Sequence, residues 1–344
     1  MTLASSFLQT KASTISYTDC AIRQGAWWGS GSPPLPNSPG VDIVGKVYHV
    51  SQKAAKQFNL SPSQTVLSLV KWGGNSRYVS INPKKLVKVP EGIDLAQAAC
   101  LTETYLTAFQ VLHLGQSSNL RYRENALKGK SVLIVGAMVN NLGKAIIELA
   151  LASGAVHIYA TAKEKHWNRI MSYGVIPLSQ DPQDWISRVE GTVDLVLATN
   201  SGLREDVSHF HYRSLNPSGH LILCGWRKAG KDMPVGEWRT QSHTPLMCSK
   251  NRALAKIMNK THSYDVYEQW ERNLDTCKQD LTHLLTLLEK QVINPKLWDR
   301  IALHKVARAH ELLESKRLSG FLVCEPWMRS KKRTVRSKKN PTPK

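Results

Sequence analysis

The stretch between residues 131 and 163 constrains the fold of this chain more than any other. It begins at 131–135 with SVLIV, an apolar run that is typical of a strand buried on both faces of a parallel sheet. A turn follows at 136–143, and apolar residues then recur at helical spacing as far as Gly154, a residue type that commonly ends helices. Residues 156–160 are a second apolar run. The pattern predicts a strand, a helix and a second strand parallel to the first.

The first turn of this unit is a candidate phosphate-binding site. Such a turn directs backbone N–H groups and a helix N-terminus at one spot, where an anion is stabilised. Dinucleotide-binding turns usually have glycine in the middle position, whereas Asn140 lies there in this chain. Asparagine tolerates positive φ, but its side chain occupies space that a phosphate needs, so a nucleotide site and a purely structural turn both remain open. The candidate cofactor-binding residues of the turn are Gly136, Ala137, Asn140, Leu142 and Gly143.

Short strands precede this unit, and alternating elements follow it. Apolar runs separated by glycine and proline turns extend over about residues 4–89, which favours a small β-rich domain, and residues 94–112 have helical spacing. A helix at 163–174 and strands at 193–198 and 220–225 then alternate, as in a doubly wound parallel sheet. The remaining predicted elements are amphipathic helices at 281–289 and 305–314 and a strand at 321–324.

The composition is that of a globular protein with a strongly basic C-terminus. The net charge is +20, and residues 329–344 contain eight lysines or arginines and no acid, so we expect the tail, residues 328–344, to be disordered. The six cysteines form no C-x-x-C pair, which gives no sign of a zinc lobe or a disulfide framework. No membrane-length apolar run and no secretory signal are visible. A cytoplasmic location is therefore expected, or a nuclear one if the tail acts as an import signal.

Several further segments occur along the chain in a fixed order. They are ISYTDCAIRQG at 15–25, PNSPGVDIVG at 36–45, GGNSRYV at 73–79, YLTAF at 105–109, the unit at 131–160, ARAHELLES at 307–315 and GFLV at 320–323. Over about residues 4–327, this ordered set resembles the medium-chain dehydrogenase/reductase superfamily. The similarity is to its zinc-independent, quinone oxidoreductase-like branch, which includes enoyl reductase domains.

The resemblance implies an α/β fold of two domains with a cofactor between them. Residues 1–115 would form a GroES-like, β-rich catalytic domain that residues 265–327 complete, and residues 120–260 would form a Rossmann domain with a doubly wound parallel sheet. Family members usually have two to three further strands before the segment that matches residues 4–15. The first domain is therefore expected to be shortened at its N-terminus, with the cofactor in the cleft between the domains.

The resemblance also implies which side chains meet the substrate. Positions that often carry asparagine and tyrosine near the substrate in this branch are matched by Ser16 and Ala21, and Tyr17 lies nearby. We expect Ser16, or Tyr17 if it points into the cleft, to donate a hydrogen bond to the substrate oxygen. Thr107 matches the threonine of the family's T-A-Y stretch beside the nicotinamide; the alternative is a helix threonine bonded to its own backbone.

A metal centre is not expected. The zinc-dependent branch of the family has a histidine and a glutamate after the glycine that matches Gly40, whereas Val41 and Asp42 follow it here. The sequence also lacks the four-cysteine lobe of that branch. The resemblance therefore favours chemistry without a metal.

The end of the second strand of the strand–helix–strand unit indicates the cofactor. An NAD site usually has Asp or Glu there to accept hydrogen bonds from the ribose 2′-OH, whereas this strand ends in YATAK at Lys163. Lys163 and Lys165, close to Arg169, offer positive charge to a 2′-phosphate, although a solvated basic helix face would also have such residues. Thr161 and Gly225 complete the candidate cofactor-binding set, and the predicted cofactor is NADPH.

The predicted function is metal-independent hydride transfer from NADPH to a quinone or to an activated C=C bond, as in an enone or enoyl group. The substrate would be a hydrophobic carbonyl compound or quinone, and the resemblance suggests a homodimer. Two alternatives to this function remain open. In the first, the chain is a catalytically weak NADPH-binding sensor or scaffold. In the second, it is a nucleic-acid-associated protein that acts through its basic tail.

Overall fold

The computed structural model describes residues 6–24, 35–114, 126–138, 141–199, 205–224, 226–228, 238–240, 260–315 and 318–329. The first part of the chain contains β1 (Ser6–Ile15), α1 (Tyr17–Arg23), β2 (Asp42–His49), α2 (Gln52–Phe58), β3 (Thr65–Leu69), β4 (Tyr78–Ile81), β5 (Val87–Lys88), α3 (Leu95–Cys100) and α4 (Leu106–His113). The middle part contains β6 (Ser131–Val135), α5 (Asn141–Ala152), β7 (His157–Thr161), α6 (Trp167–Met171), β8 (Ile176–Leu178), α7 (Ile186–Val189), β9 (Val193–Ala198), α8 (Glu205–Ser214), β10 (Leu215–Leu223), β11 (Trp226–Lys228), β12 (Trp238–Thr240) and β13 (Thr261–Ser263). The last part contains α9 (Val266–Arg272), α10 (Leu274–Glu289), β14 (Leu297–Ala302), α11 (Val306–Glu314) and β15 (Phe321–Glu325).

Both ends of the chain build a seven-stranded sheet around β1. β2 pairs antiparallel with β1, β4 pairs with the start of β1, and β15 pairs with its end. The strand order is β14–β15–β1–β2–β3–β5, with β4 beside β1. Side chains alternate along β1, so that Leu8 is buried in a small core with Val47 and Ile81 while Phe7 is exposed. This arrangement brings residues from the far C-terminus next to the first strand.

The second sheet has six strands, in the order β13–β10–β9–β6–β7–β8, and each pair within it is parallel. Both faces of β6 are buried: Val132 and Ile134 pack into one core, and Leu133 and Val135 pack into another. The apolar run at 131–135 thus forms the predicted strand because helices cover both sides of the sheet. The chain proceeds from β6 outwards to β8 and then returns on the other side of β6, so the strand order reverses between β6 and β9. Ligands of such sheets bind outside the strand ends at this point.

A helical segment between the two sheets contains an irregular turn. The sequence pattern predicts a helix over 94–112, and the structure divides it into α3, a five-residue π-helical turn at Leu101–Tyr105, and α4. Asp94 caps α3 by accepting a hydrogen bond from the backbone N–H of Ala96, at 2.9 Å. π-helical turns are rare and frequently occur at functional sites. This one lies against α5, the helix that follows the candidate phosphate-binding turn.

The structure differs from the sequence prediction in several elements. The predicted helix at 163–174 is a 3₁₀ turn, Glu164–His166, followed by the single α-helical turn of α6. The parallel sheet ends with β13, just beyond the predicted domain limit at residue 260. The sequence analysis did not predict α2, which Ser51 caps through the backbone N–H of Ala54. The longest described helix, α10, has 16 residues and is shorter than the roughly 20 that cross a bilayer.

A buried carboxyl group under α4 makes stability depend on pH. Asp280 on α10 is 3% exposed, and its carboxylate accepts a hydrogen bond from Gln110 Nε2 at 2.6 Å. Burial raises the pKa of Asp280 from 3.8 to about 6, although the Gln110 hydrogen bond acts in the opposite direction. The folded protein therefore holds this proton more tightly than the unfolded chain does, and folding stability falls as pH rises from about 4 to about 6.

We expect Asp280→Asn to increase the free energy of unfolding above pH 7. The amide keeps an acceptor for Gln110 and removes the ionisation, so the gain should be on the order of 2–3 kcal/mol at pH 8 and small near pH 4. Urea unfolding of both proteins across this pH range measures the difference. Asp275→Asn, on the exposed side of the same helix, is the matched control. A variant less stable than the parent protein at pH 8 would contradict the expectation.

Candidate functional site

The turn after β6 is held rigidly by the ends of its neighbouring strands. Gly136 has φ +77°, and its N–H donates to the hydroxyl oxygen of Thr161 at the end of β7, at 2.9 Å. The Ala137 N–H donates to the carbonyl of Thr161 at 3.3 Å. On the other side, the hydroxyl of Thr199, just after β9, donates to the carbonyl of Val135 at 2.9 Å. The turn is thus fixed at the point where the strand order reverses.

Gly143 allows α5 to approach the turn closely. A Cβ atom at this position would lie 2.1 Å from the carbonyl oxygen of Ala137, too near for any side chain. The preceding residue, Leu142, is 8% exposed and packs into the main core. Close packing of helix against strand is the role of the last glycine in dinucleotide-binding turns. The geometry therefore fits the prediction that this helix N-terminus faces a phosphate.

Gly143→Ala is expected to destabilise the protein, although alanine is the better helix former. In an open helix the change would stabilise by about 1 kcal/mol, whereas here the overpacking should cost roughly 1–3 kcal/mol. The thermal midpoint measures this, and the affinity for NADPH should fall because the turn must move. An unchanged or higher thermal midpoint would show that the helix does not pack as described.

A cluster of cations lies beyond the end of β7. Lys163 and Lys165 are exposed, and Arg169 donates to the hydroxyl of Ser319 in the segment before β15. Burial, followed by the charges of Lys165, Arg169 and Lys163, lowers the pKa of His166 between them. The side chains that the sequence analysis assigned to a 2′-phosphate thus lie around one solvent-accessible spot beside the turn. Their assignment remains a prediction.

Ser16 lies at the start of α1 and caps this helix. Its hydroxyl oxygen accepts from the Thr18 N–H at 3.2 Å, and the hydroxyl is close enough to Glu103 to lower the pKa of that carboxyl group. The carboxylate of Asp19 completes a capping box by accepting from the Ser16 N–H at 2.7 Å. Asp19 also accepts from the Gly40 N–H at 2.6 Å, so it fixes the loop that carries Ser16.

The structure does not place Tyr17 in the cleft. Its hydroxyl donates to the carbonyl of Leu313 on α11 at 2.9 Å, and its ring packs with Ile15 and Cys20. A role for Tyr17 was expected only if it points into the cleft, and this hydrogen bond directs its hydroxyl to Leu313 instead. A helix almost 300 residues further along the chain satisfies the phenol.

Thr107 makes the hydrogen bond to its own helix backbone that was the alternative to a nicotinamide contact. Its hydroxyl donates to the carbonyl of Glu103, one turn earlier, at 2.6 Å, and the residue is 8% exposed. The hydroxyl oxygen keeps lone pairs that can accept a further hydrogen bond. A contact between Thr107 and a nicotinamide therefore remains a prediction. In that contact the Thr107 hydroxyl would accept a hydrogen bond, since it donates its own hydrogen to Glu103.

Glu103 joins three segments of the chain, and the sequence analysis did not identify it. Its carboxylate accepts from the hydroxyls of Thr18 at 2.6 Å and Tyr267 at 2.9 Å, and the Ser16 hydroxyl lies close enough to influence its pKa. Burial raises the pKa of Glu103, whereas hydrogen bonds from the three hydroxyls lower it. The sequence contains one signal for this residue, an acid within the otherwise apolar and threonine-rich run LTETYLTAF at 101–109.

Comparisons with known proteins give consistent relatives. No protein family model matches the chain. It is 24% identical over 332 residues to the synaptic vesicle membrane protein VAT-1 homolog of Rattus norvegicus, which covers 93% of this chain and 76% of that protein. A quinone oxidoreductase-like protein 2 homolog of Nematostella vectensis is 33% identical over 135 residues, 39% of this chain and 34% of the relative. An NADPH-dependent alkenal/one oxidoreductase of Arabidopsis thaliana is 29% identical over 174 residues, 48% of this chain and 42% of the relative.

Solved structures share the fold over almost the whole chain. The human synaptic vesicle membrane protein VAT-1 homolog-like protein superposes with a TM-score of 0.70 at 18% identity, over 95% of this chain and 90% of that one. The quinone oxidoreductase of Coxiella burnetii superposes with a TM-score of 0.66 at 19% identity, over 93% of this chain and 90% of that one. The chain is similar to quinone oxidoreductase-like proteins of the medium-chain dehydrogenase/reductase superfamily, in agreement with the resemblance in the sequence. The predicted α/β fold of a GroES-like and a Rossmann domain is confirmed by the solved structures.

Asp42 is a buried carboxyl group. Its carboxylate accepts from the N–H of Thr14 at 2.7 Å and also from the Thr14 hydroxyl. Burial raises the pKa of Asp42 from 3.8 to about 7. Among the described residues, no group of three histidine, cysteine, aspartate or glutamate side chains is placed to hold a metal ion.

Two predicted cofactor-binding residues, Asn140 and Gly225, lie outside the described residues. Of the other predicted turn residues, Gly136 and Ala137 bond to Thr161 at the end of β7, Gly143 packs against Ala137, and Leu142 packs into the core. Thr107 donates to the carbonyl of Glu103, and Ser16 lies near the Glu103 carboxylate. The predicted residues thus lie in two groups, which we call, after their predicted roles, the phosphate end at the turn and the reaction end around Glu103.

Proposed function

We propose that this protein is an NADPH-dependent, metal-independent reductase of a quinone or of an activated C=C bond in an enone or enoyl substrate. The observation that carries the proposal is the exposed cation cluster of Lys163 and Lys165 beyond β7, beside the rigid turn. An NAD site would need a carboxylate at the end of that strand, and none of the residues Thr161 to Lys163 is acidic. The relatives named above as quinone and alkenal/one oxidoreductases support the same chemistry.

The residues present fit a nicotinamide dinucleotide with a 2′-phosphate. The backbone N–H groups at the start of α5 would hold the pyrophosphate, since Gly143 lets this helix end approach the turn closely. Lys163 and Lys165 would neutralise the 2′-phosphate. When bound, the nicotinamide supplies the hydride, and the protein's own contribution is to orient it and to exclude water.

The chain must also stabilise the negative charge that develops on the substrate oxygen. Ser16 is the candidate donor, since Tyr17 is held by Leu313. To serve, the Ser16 hydroxyl must point towards the substrate and not towards the nearby Glu103 carboxyl group. Ser16 would then give its proton to the substrate oxygen and take one from protonated Glu103, whose pKa burial raises. Glu103 is thus a positioning and proton-holding residue that acts through Ser16.

Consumption of NADPH with an acceptor panel tests the proposed function. The full-length protein is mixed with NADPH and either 9,10-phenanthrenequinone or small enones, with and without a chelator, and absorbance of the reduced nicotinamide is followed. We expect turnover that the chelator does not change. Chelator-sensitive turnover would contradict the metal-free chemistry.

The surroundings of Ser16 and Tyr17 also favour a second candidate, a sensor or scaffold that binds NADPH without turnover. The Tyr17 hydroxyl donates to the Leu313 carbonyl, and the Ser16 hydroxyl lies close to the Glu103 carboxylate. If the Ser16 hydroxyl donates to that carboxylate with cofactor bound, neither side chain has a donor for the substrate oxygen. Tight binding of NADPH with no consumption on any acceptor would support this candidate.

A further inference from the structure

The outer side of the seven-stranded sheet has four exposed aromatic rings close together. Phe7 on β1, Tyr48 on β2 and Tyr78 on β4 are 46%, 67% and 47% exposed, and Trp327, just after β15, is 39% exposed. Ring centroids are 5.4 Å apart for Tyr48 and Tyr78 and 5.6 Å apart for Tyr78 and Trp327, edge to face in both pairs. We call these four residues the aromatic face.

The strand register explains why the rings are directed away from the core. Leu8 pairs with Val47 and Val79 and is buried, and its neighbour Phe7 is on the opposite side of the strand. Together with Tyr48 and Tyr78, His49 and Phe7 line a groove of about 560 Å³. A sheet face that is open to water ordinarily carries polar side chains, so contiguous exposed rings mark an interaction surface.

Positive charge is fixed at the edge of the aromatic face. Lys11 Nζ lies 5.8 Å from the ring centroid of Trp327, and the Arg77 guanidinium carbon lies 5.1 Å from it, both within cation–π range. The Trp327 ring is itself anchored, because its indole N–H donates to the carbonyl of Thr10 at 2.8 Å. Lys46 is close enough to Lys11 for its charge to act on that ammonium group. The cations are therefore held beside the rings.

The basic end of the chain begins at the same place. Arg329 follows Trp327 by two residues, and residues 329–344 contain eight lysines or arginines and no acid. Within the described part of the chain, Lys11 and Arg77 place positive charge at the rings. A partner of this surface should therefore be an anion with flat apolar groups.

We propose that the aromatic face binds single-stranded nucleic acid. Bases stack on Phe7, Tyr48 and Tyr78, while Lys11 and Arg77 contact the phosphates. Proteins that bind single strands combine stacking side chains on a sheet with a basic path for the backbone. A duplex keeps its bases stacked inside, and a lipid surface is bound by apolar groups that reach about 5–10 Å into it. Rings that pack edge to face on a sheet are better placed to stack on bases than to insert into a lipid layer.

Fluorescence anisotropy with labelled oligo(U) and oligo(dT) 15-mers tests the proposal over a salt series. The full-length protein should bind both strands more weakly as salt rises, and it should prefer them to a duplex of the same length. Tyr48→Ala with Tyr78→Ala should weaken binding at least 10-fold at every salt concentration. Tyr48→Phe with Tyr78→Phe should restore it, since the rings remain. Deletion of 330–344 should weaken binding and reduce the salt slope but keep the preference for single strands.

Trp298→Ala is the matched control, because this residue is an equally exposed aromatic on β14, 51% exposed, and the change should have no effect. Thermal midpoints of all variants confirm that they fold. Unchanged binding in the double alanine variant would overturn the proposal and assign binding to the basic segment alone. Equal affinity for the duplex, absence of binding, or binding only to phosphatidylserine vesicles would also overturn it. None of these outcomes depends on the proposed reductase activity.

Discussion

Replacing Lys163 and Lys165 together by alanine is expected to weaken NADPH binding by roughly 10- to 100-fold and to leave NADH binding nearly unchanged. The two cofactors differ only by the 2′-phosphate, and both ammonium groups are exposed beyond the end of β7, where that phosphate would lie. Each solvent-accessible contact between an ammonium group and a phosphate should contribute about 1 kcal/mol, and 1.4 kcal/mol is tenfold in affinity. Calorimetric titration of each variant with each cofactor measures the effect.

The control for this prediction removes the same charge elsewhere. Lys53 and Lys56 are exposed on α2, in the other sheet's domain, so Lys53→Ala with Lys56→Ala lowers the net charge equally. That variant should bind NADPH as the parent protein does. An equal loss of affinity for both cofactors in the Lys163 and Lys165 variant would show that these lysines do not read the 2′-phosphate.

Ser16→Ala is expected to lower kcat by about 10² with a quinone or enone acceptor. The loss of one donor to an oxygen that gains charge in the transition state typically costs a factor of this size. Tyr17→Phe is the control, since the Tyr17 hydroxyl is used by Leu313 and not by the cleft, and kcat should hardly change. A comparable loss in both variants would remove the distinction that the structure makes between these hydroxyls.

Glu103→Gln tests whether Glu103 delivers a proton or only holds Ser16 in position. Burial raises the pKa of Glu103, so the carboxyl group holds a proton below that pKa and loses it above. Activity should therefore fall as pH rises through the pKa in the parent protein. The variant has no such group, and the alkaline decline should flatten. A uniform loss of activity with the pH profile intact would indicate that Glu103 only holds Ser16, Thr18 and Tyr267 in place.

The parts of the fold that depend on local pattern could be predicted from the sequence. β6 and β7 could be predicted from their apolar runs, and the close packing of α5 against the turn could be predicted from Gly143. Each of these signals lies within the segment whose structure it determines. The 3₁₀ turn at Glu164–His166 was missed because helical spacing cannot distinguish a short turn from the start of a longer helix.

The reaction end could not be predicted in the same way. The direction of the Tyr17 side chain depends on its hydrogen bond to the carbonyl of Leu313. Glu103 accepts a hydrogen bond from Tyr267, which follows the last strand of the Rossmann sheet in the chain. Contacts between residues so distant in the chain leave no periodic trace in the sequence. No sequence rule would have predicted the π-helical turn at Leu101–Tyr105. This turn places Glu103 near three hydroxyls.

The central claim is that the turn after β6 and the cations after β7 form a site for NADPH. Titration of the unmodified full-length protein with NADPH and with NADH, by calorimetry at low and high salt, tests it most directly. The account predicts that NADPH binds at least 10-fold more tightly than NADH and that the difference shrinks as salt screens the lysines. Equal affinities at low salt, tighter binding of NADH, or no binding of either cofactor would contradict it.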